Sequence, residues 1–195
     1  MLLGLAGIPV AAHGADLQCP DMNAFPPLPA SPPAGEGADA DDAAIEMEGD
    51  ALEAALAGNA RLHGNVIVRQ GDREIRANDV RYDQGENAIR VEGDIEYVDP
   101  VVHVTGGGGN YSATEGADFR NAEFELRQRP ARGSAAAMQL SPEGVIDLGN
   151  VRFTTCPRDD QSWQLRADSI SLNTRTRIGT GRGTRVDFKG VPIVY

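Results

Sequence analysis

Basic side chains are absent from the first 60 residues of the sequence, which hold ten Asp and Glu residues and no Lys or Arg. The rest of the chain holds 19 acidic against 18 basic side chains, and Lys189 is its one lysine. A nearly neutral domain behind an acidic leader lacks the basic surface with which proteins bind nucleic acid. Nucleic acid is therefore not expected as a partner.

Residue clusters that carry catalysis or hold a metal are also lacking. The three histidines, His13, His63 and His103, are isolated in the sequence, and no group of His, Cys and Asp has the spacing of metal ligands. The four glycines at 106–109 are not followed by the Gly-Lys-Ser/Thr of a phosphate-binding loop, and we interpret them as a flexible hairpin connection. No nucleophile-elbow sequence occurs. An enzyme, a metal site and a cofactor are therefore not expected.

Long apolar runs are missing as well, and the nearest approach to one is the uncharged N-terminus, residues 1–14. This stretch is too short to span a bilayer. Ala12-His13-Gly14 offers the small residues of a signal-peptidase site, although a positively charged start is missing. We predict a partial signal peptide at residues 1–14 and export of the rest of the chain.

Residues 15–44 are rich in Pro, Gly, Ala and acidic side chains. Such a composition cannot bury enough apolar surface to offset the entropy that is lost on ordering. We predict a disordered, acidic and proline-rich tether at residues 15–44, followed by one folded domain at residues 45–195.

From residue 45 onward apolar residues alternate with polar ones, and turn-forming residues recur along the chain. The clearest turn signals are Gly71-Asp72 and the stretch from Gln84 to Asn87. Alternation with a period of two is typical of β-strands that bury one face, and no stretch carries a convincing helical pattern. The sequence therefore predicts an all-β fold of stacked antiparallel strands.

Two short phrases recur in this region. The first, Gly-Asn/Asp-aliphatic-x-apolar, begins at Gly64, Gly93 and Gly149, with spacings of 29 and 56 residues, or one and two units of about 28. The second is IRANDVRY from Ile75 and LRADSISL from Leu165. Internal repeats of this kind indicate a structural unit that stacks on copies of itself.

The alternation places a set of mainly aliphatic side chains on one face of the predicted strands, since the sequence has only five Phe, four Tyr and one Trp. The candidates for an apolar, lipid-binding interior are Val66, Val68, Ile75, Val80, Ile95, Val102, Val104, Val151, Leu165, Ile170, Leu172, Val186 and Phe188. They either fill a dry core or line a lipid-sized slot between splayed sheets. The open strand edges of such a stack are able to pair with another β protein.

The sequence has two cysteines, Cys19 in the proline-rich stretch and Cys156 at the end of a predicted strand. In an oxidising compartment both are expected to form disulfide bonds. Either Cys19 pairs with Cys156, or each of them pairs with a cysteine elsewhere. The residues themselves leave both pairings open.

The closing part of the sequence carries a more particular pattern: FTTCP from Phe153, Trp163 seven residues after Cys156, LRADSI from Leu165 and FKGVPIVY from Phe188. This pattern resembles the end of the periplasmic domain of the LptD family of lipopolysaccharide-assembly proteins, formerly called organic solvent tolerance proteins. GNVIVRQGDREIRANDVRYD and VEGDIEYVDP resemble the OstA-like repeats of that domain, which the bridge proteins LptA and LptC share. The resemblance covers about residues 45–195.

This resemblance implies a β-jellyroll, or β-taco, with a V-shaped apolar interior that receives lipid A acyl chains from the periplasmic bridge protein LptA, which pairs with an edge strand. Lipopolysaccharide (LPS) would then pass to an outer-membrane β-barrel that holds the lipoprotein LptE, at the periplasmic face of the cell outer membrane. In the family, the two cysteines of this domain bond to an adjacent cysteine pair near the end of the barrel, and by position these are Cys19 and Cys156 here. Since the sequence ends at Tyr195, the domain is expected to be truncated before the barrel.

Two alternative functions stay open from the sequence: a free-standing LPS bridge protein of the LptA or LptC kind, and a β adaptor module that binds no lipid. The two cysteines, the loop from Cys156 to Trp163 and the closing Val-Pro-Ile-Val-Tyr argue against a bridge protein. Binding of acyl chains separates a transport domain from an adaptor.

Overall fold

Regular structure in this protein is entirely β over the residues that the structure describes. The computed structural model describes residues 43–55, 58–127, 131–158, 160 and 162–194. Helices are absent from these residues, which form thirteen strands. The strands are β1 (Glu46–Glu48), β2 (Ala51–Ala54), β3 (Ala60–Gln70), β4 (Arg73–Asp83), β5 (Ala88–Val98), β6 (Val102–Ser112), β7 (Gly116–Leu126), β8 (Ala131–Leu140), β9 (Val145–Thr154), β10 (Trp163–Asn173), β11 (Ile178–Arg182), β12 (Arg185–Phe188) and β13 (Val191–Val194). The predicted all-β class is confirmed.

The strands form one antiparallel sheet in which neighbours in the chain are neighbours in space. From β4 to β9 each strand pairs with the strand before it and the strand after it. At one edge β1 and β2 both pair with β3, and at the other edge β11 and β12 both pair with β10, with β13 beyond β12. The turns predicted at Gly71-Asp72 and from Gln84 to Asn87 connect β3 to β4 and β4 to β5.

The four glycines at 106–109 are not a hairpin connection, as the sequence suggested, but the middle of strand β6. Gly109 lies so close to β7 that a Cβ there would meet the Asp118 carbonyl oxygen at 2.2 Å. A Cβ at Gly106 would meet the Arg120 carbonyl oxygen at 2.9 Å. The glycines are therefore explained by the close approach of two backbones, a use of glycine within strands that the sequence cannot distinguish from a turn.

Each long strand has one break in its pattern of inward-facing residues, near its middle. In β4, Ile75 and Ala77 face inward, and the next inward side chains are Val80 and Tyr82, so that a step of three replaces the usual step of two. The cross-strand register shifts at the same level in β3, β4 and β5. The step is four in β3, from Leu62 to Val66, and in β5, from Val91 to Ile95. It is three in the strands β7 to β10: Phe119 to Ala122, Ala135 to Met138, Leu148 to Val151, and Ala167 to Ile170. The aligned breaks bend the sheet along one line.

The repeated phrases of the sequence mark these bends. Gly64, Gly93 and Asn150 have φ angles of 73°, 97° and 50°, and Asn65 and Asn121 have φ angles of 45° and 49°. Glycine and asparagine adopt this left-handed conformation at less cost than other residues. Because one bend occurs in each strand, a repeat of about 28 residues corresponds to two strands.

The bends divide the sheet into two halves that face each other, which we call the β1 wall and the β2 wall. The β1 wall consists of β1, residues 66–77, 95–106, 122–126, 131–135, 151–154 and 163–167, and β12 and β13. The β2 wall consists of β2, residues 60–63, 80–91, 109–119, 137–140, 145–149 and 169–173, and β11. β1 and β2 are thus the two halves of one bent edge strand, and β11 and β12 are the two halves of another.

Buried side chains from both walls form one hydrophobic cluster between them. Tyr97 of the β1 wall meets Phe119 of the β2 wall, with their ring centroids 5.3 Å apart. Burial of apolar surface is the main favourable contribution to folding, so packing across the walls holds the bent sheet closed. The expected sheet around an apolar interior is confirmed.

Gly93→Ala is expected to destabilise the protein by about 1–2 kcal/mol, because an L-residue at positive φ is strained. No atom lies within 4 Å of the place that a Cβ would take, so a steric clash does not add to the strain. The free energy of unfolding from urea denaturation measures the effect. Gly107→Ala is the matched control, since Gly107 lies at the same bend in β6 without a positive φ, and its added Cβ would meet neighbours at 3.9 Å. Equal losses in the two variants would contradict a role for the left-handed bend.

Candidate functional site

The apolar interior between the two walls is the candidate functional site. Eight of the residues predicted for it are at most 5% exposed: Val66, Val68, Ile75, Val80, Ile95, Val102, Val104 and Val151. The other five, all in β10 or β12, are half-buried: Leu165, Ile170, Leu172, Val186 and Phe188. All thirteen face the inner side of the sheet, because each either belongs to the cluster between the walls or lies directly opposite an inward residue of the next strand.

Sequence reasoning missed a comparable number of interior side chains. Among them are Leu62, Ile89, Val91, Tyr97, Tyr111, Phe119, Phe124, Met138, Ile146 and Leu148. Phe119 and Phe124 are five residues apart, which a strict period of two assigns to opposite faces, yet both lie inside because β7 bends between them. A step of three or four, in place of two, near the middle of each strand is the signal that would have found them.

The interior is closed over the middle strands of the sheet and more exposed at both edges, where Leu52, opposite the inward Leu62, is 64% exposed. From β3 to β9 the inward side chains are buried against one another across the walls. From β10 to β13 most of them are half-buried, and Val191, opposite Phe188, is 61% exposed. A slot between the walls is therefore accessible at the β10–β13 edge, whereas over β3–β9 the protein's own side chains occupy it.

A cluster of polar side chains joins the walls along the rim opposite the bends; we call Gln70, Arg73, Tyr97, Asp99 and Tyr111 the rim cluster. Tyr111 belongs to the β2 wall and the other four to the β1 wall or to the loop at its rim. The Tyr111 hydroxyl donates a hydrogen bond to Gln70 Oε1 at 2.7 Å and accepts one from Arg73 Nη1 at 2.9 Å. The Arg73 guanidinium also lies 5.9 Å from the centre of the Tyr111 ring, within the range of a cation–π contact. These contacts tie the two rims together.

Tyr97 and Asp99 form the inner part of the rim cluster. The Tyr97 hydroxyl donates to Asp99 Oδ2 at 3.0 Å, and Asp99 Oδ1 accepts the backbone N–H groups of Val101 and Val102 at 2.6 and 2.7 Å. Burial raises the pKa of the Asp99 carboxyl and raises the pKa of the Tyr97 hydroxyl well above its ordinary value. Tyr97 therefore keeps its proton and acts as a donor, while the backbone donors offset part of the desolvation of Asp99.

The outer faces of the walls carry paired charges. The Glu74 side chain, 9% exposed, lies between Arg69 at 2.9 Å and Arg76 at 2.6 Å on the β1 wall. On the β2 wall Asp79 pairs with Arg61, and the hydrogen bond from that guanidinium lowers the pKa of the Asp79 carboxyl. Away from the rim cluster, charge is thus kept on the solvated faces, and the inner faces are mainly apolar.

Cys156 lies just beyond the end of β9, at the rim of the β1 wall, and is fully buried. Its backbone N–H donates to Thr154 Oγ1 at 3.1 Å, and Arg132 Nε donates to its carbonyl oxygen at 2.8 Å. Free cysteines are absent from the described part of the chain. Cys19 lies outside the described residues, as do the predicted signal peptide at 1–14 and nearly all of the predicted tether at 15–44.

Metal-ligand clusters are absent from the residues that the structure describes. The two described histidines each pair with a carboxylate, His63 with Asp79 at 2.8 Å and His103 with Glu96 at 2.9 Å. Within the same residues, no helix has the length and apolar character needed to cross a membrane.

Comparisons with known proteins relate the chain to LPS transport. Residues 46–178 match the family described as LptA/(LptD N-terminal domain) LPS transport protein. The chain is similar to LPS-assembly protein LptD of Vibrio cholerae serotype O1, with 31% identity over 153 residues, or 77% of this chain and 19% of that protein. LPS-assembly protein LptD of Acinetobacter baylyi is also 31% identical, over 164 residues, or 83% of this chain and 20% of that protein. The chain thus spans about a fifth of the length of the curated relatives it matches.

Among solved structures, the chain is similar to LptH, the LptA-homologous periplasmic component of the conserved lipopolysaccharide transport device from Pseudomonas aeruginosa. The identity is 14% and the TM-score 0.33, with 80% of this chain and 98% of that chain covered.

Asp99→Asn is expected to remove a pH dependence of stability. Because the pKa of Asp99 is raised in the folded protein, the folded state binds more protons than the unfolded state between the unfolded pKa of about 3.8 and the folded pKa. The contribution of Asp99 to the free energy of unfolding, relative to Asp99→Asn, is therefore fully present below the unfolded pKa. It is lost as the pH rises through the folded pKa. Urea denaturation of both proteins over an acidic pH series measures this difference.

Asp79→Asn is the control of opposite sign, because the pKa of Asp79 is lowered in the folded protein. Its carboxylate stabilises the protein above the unfolded pKa, and that contribution is lost as the pH falls through the folded pKa. If the free energy of unfolding of the wild type rose relative to that of Asp99→Asn with rising pH, the buried state assigned to Asp99 would be contradicted.

Proposed function

The chain belongs to the family of LptA and LptD N-terminal-domain LPS transport proteins, and we propose that it is a periplasmic domain in LPS transport and outer-membrane assembly. It receives lipid A acyl chains from the periplasmic bridge and passes the LPS to an outer-membrane barrel. The observation that carries this proposal is the aliphatic interior between the two walls, which is accessible at the β10–β13 edge.

The physical chemistry of LPS favours a carrier of this form. Each methylene group that leaves water contributes about 0.8 kcal/mol, so a lipid with several acyl chains needs a long sheltered surface. Inward side chains from the strands β3 to β10 and from β12 provide such a surface, with charge kept to the outer faces and the rim cluster. Similar aliphatic groups along the interior allow an acyl chain to slide without a large barrier at any one step. No catalytic step is part of this function.

The edge strands support the proposal that the bridge protein LptA pairs with this domain. β1 and β2 form one edge of the sheet, and Leu52 of β2 is 64% exposed. An edge strand presents unpaired backbone groups that another β protein can extend by strand addition. Pairing of this kind would align the interior of the bridge with the interior of this domain.

Two further partners follow from the same family, namely the outer-membrane barrel and LptE, at the periplasmic face of the cell outer membrane. The exposed aliphatic side chains of β11 and β13 support a contact at the opposite edge from the bridge. Disulfide bonds of Cys19 and Cys156 would fix the position of the domain relative to its neighbours. The buried place of Cys156 at the rim of the β1 wall, held by Thr154 and Arg132, supports this role.

A non-lipid-binding adaptor is the second candidate, and the closed packing of β3–β9 is the observation that favours it. In that function the interior is a dry core and only the edges bind partners. The free-standing bridge protein has no such observation in its favour, although its family is the same.

Ile170→Asp is expected to reduce capture of LPS at least tenfold, because a carboxylate on the inner face disfavours an acyl chain and a loss of about 1.4 kcal/mol already corresponds to that factor. Ile170 is half-buried at the accessible edge, so the fold tolerates the charge better than at a fully buried position. The measurement is photocrosslinking of LPS by p-benzoylphenylalanine placed at Leu172, a neighbouring inward position on β10.

Ser169→Asp is the matched control, since Ser169 is the exposed neighbour on the same strand and lies opposite Arg182. Its crosslinking is expected to equal that of the wild type. If folded Ile170→Asp protein captured as much LPS as Ser169→Asp, the carrier function would be rejected in favour of the adaptor.

Neither cysteine is expected to react with an alkylating reagent in denaturant before reduction, because both are disulfide-bonded in the exported protein. Mass spectrometry of peptides from protein isolated without reduction measures this. Alkylated Cys156 in the non-reduced sample would contradict the proposed disulfide. The partner peptides in the same digest separate a bond between Cys19 and Cys156 from bonds to cysteines elsewhere.

A further inference from the structure

The rim cluster places polar groups where aliphatic side chains would suffice. Gln70 is 4% exposed and Tyr111 is 5% exposed, and both belong to inner strand faces that are otherwise apolar. Burial of polar groups is unfavourable unless they are hydrogen-bonded, and an apolar pair of the same shape holds two surfaces together without that cost. The hydrogen-bonded contact between Gln70 and Tyr111 therefore indicates a role other than stabilising the fold.

The position of the contact is between the solvent and the closed part of the interior. Gln70 and Arg73 flank the β3–β4 turn at the rim of the β1 wall, and Tyr111 is one residue from the end of β6 at the rim of the β2 wall. Directly beside Tyr111 on the β2 wall lies Ala117, which is 6% exposed. An acyl chain that enters sideways between the walls over β3–β7 must first separate Tyr111 from Gln70.

We infer that the hydrogen bonds of Tyr111 to Gln70 and Arg73 form a gate, which closes the rim over β3–β7 and opens when an acyl chain of an anionic amphiphile passes between the walls. This inference rests on the proposed function, since it takes the interior as an acyl-chain site. The gate specifies where an acyl chain enters the closed part of the interior and which side chains control that entry.

A hydrogen-bonded contact suits a gate because its partners can be replaced. When the rims part, water or the hydroxyl and phosphate groups of a lipid head satisfy the polar atoms of Gln70 and Tyr111, whereas separated aliphatic side chains would stay exposed. Arg73 then remains at the rim as a cation facing the anionic head. The lipid shifts an equilibrium between closed and open walls by its preference for the open state.

The contrast with β10–β12 supports this assignment. There the inward side chains are half-buried, so the interior is accessible without any separation of the walls. Over β3–β9 it is filled, and among the described residues the side-chain hydrogen bonds that join the two walls are those of Tyr111. The exchangeable, directional contacts between the walls, as far as the structure describes them, thus lie at Tyr111, beside the apolar packing.

Thiol labelling of the full chain, without reduction, tests the gate. Ala117→Cys places a reporter thiol directly beside Tyr111, and Ala135→Cys, 4% exposed in the wild type, places one on β8 away from the rim cluster. The labelling rate with a small thiol reagent is measured in each background, alone and with Tyr111→Phe, which removes the hydroxyl and keeps the ring. Tyr82→Phe is the matched control, because the Tyr82 hydroxyl donates to Asn87 on the same wall at 3.0 Å.

Tyr111→Phe is expected to raise labelling of the Ala117→Cys reporter roughly 5- to 30-fold, the factor that follows from the loss of one or two hydrogen bonds. The Ala135→Cys reporter and the Tyr82→Phe control are expected to change little. Purified LPS is expected to slow labelling of the Ala117→Cys reporter. Gln70→Leu, which removes the acceptor instead, is expected to have the same effect and serves if Tyr111→Phe does not fold.

Three results would overturn the gate: no rise with Tyr111→Phe, an equal rise at both reporters, which indicates global unfolding, or no slowing by LPS. The photocrosslinking of LPS from Leu172 in the wild type separates this failure from that of the proposed function. Crosslinking without a change in labelling rejects the gate alone. Absence of crosslinking in the wild type rejects the acyl-chain site on which the gate rests.

Discussion

The bend in the middle of each strand is the constraint on which the rest of this structure depends. When all the strands of a sheet bend at the same level, the two apolar halves of its inner face turn toward each other. The step of three between Ala77 and Val80, and the steps of three or four at the same level in the other strands, keep the apolar side inward on both sides of the bend. Left-handed residues such as Gly93 and Asn150 make that change possible at low cost.

Once the sheet is bent, the inner and outer faces have different chemistry. The inner face gathers aliphatic and aromatic side chains from both walls into one cluster, and the outer face carries charges paired across strands, as around Glu74. Packing between the walls holds the closed form over β3–β9, while the last strands have fewer neighbours to cover their inner sides. The same interior is therefore a core in the middle strands and an accessible apolar surface at the edge strands.

The rim cluster gives the closed part a different kind of contact. Across most of the interior the walls meet through apolar packing, which is strong in sum and has no directional partner to exchange. At Tyr111 they meet through hydrogen bonds that water or a lipid head can replace. A carrier of amphiphiles needs both, since its interior must exclude water when empty and still admit a chain.

The sequence by itself determined the all-β class, the turns between β3 and β5, and the inward positions of Val66, Val80 and Val102, because these depend on alternation and on turn residues close in the chain. Its repeats also located the bends, although they did not reveal them as bends. Only the tertiary structure decided that Gly106–Gly109 lie within a strand and that Phe119 and Phe124 share one interior. It alone brought Tyr111 to Gln70, 41 residues apart, because contact across the walls depends on how the sheet folds over and leaves no local signal.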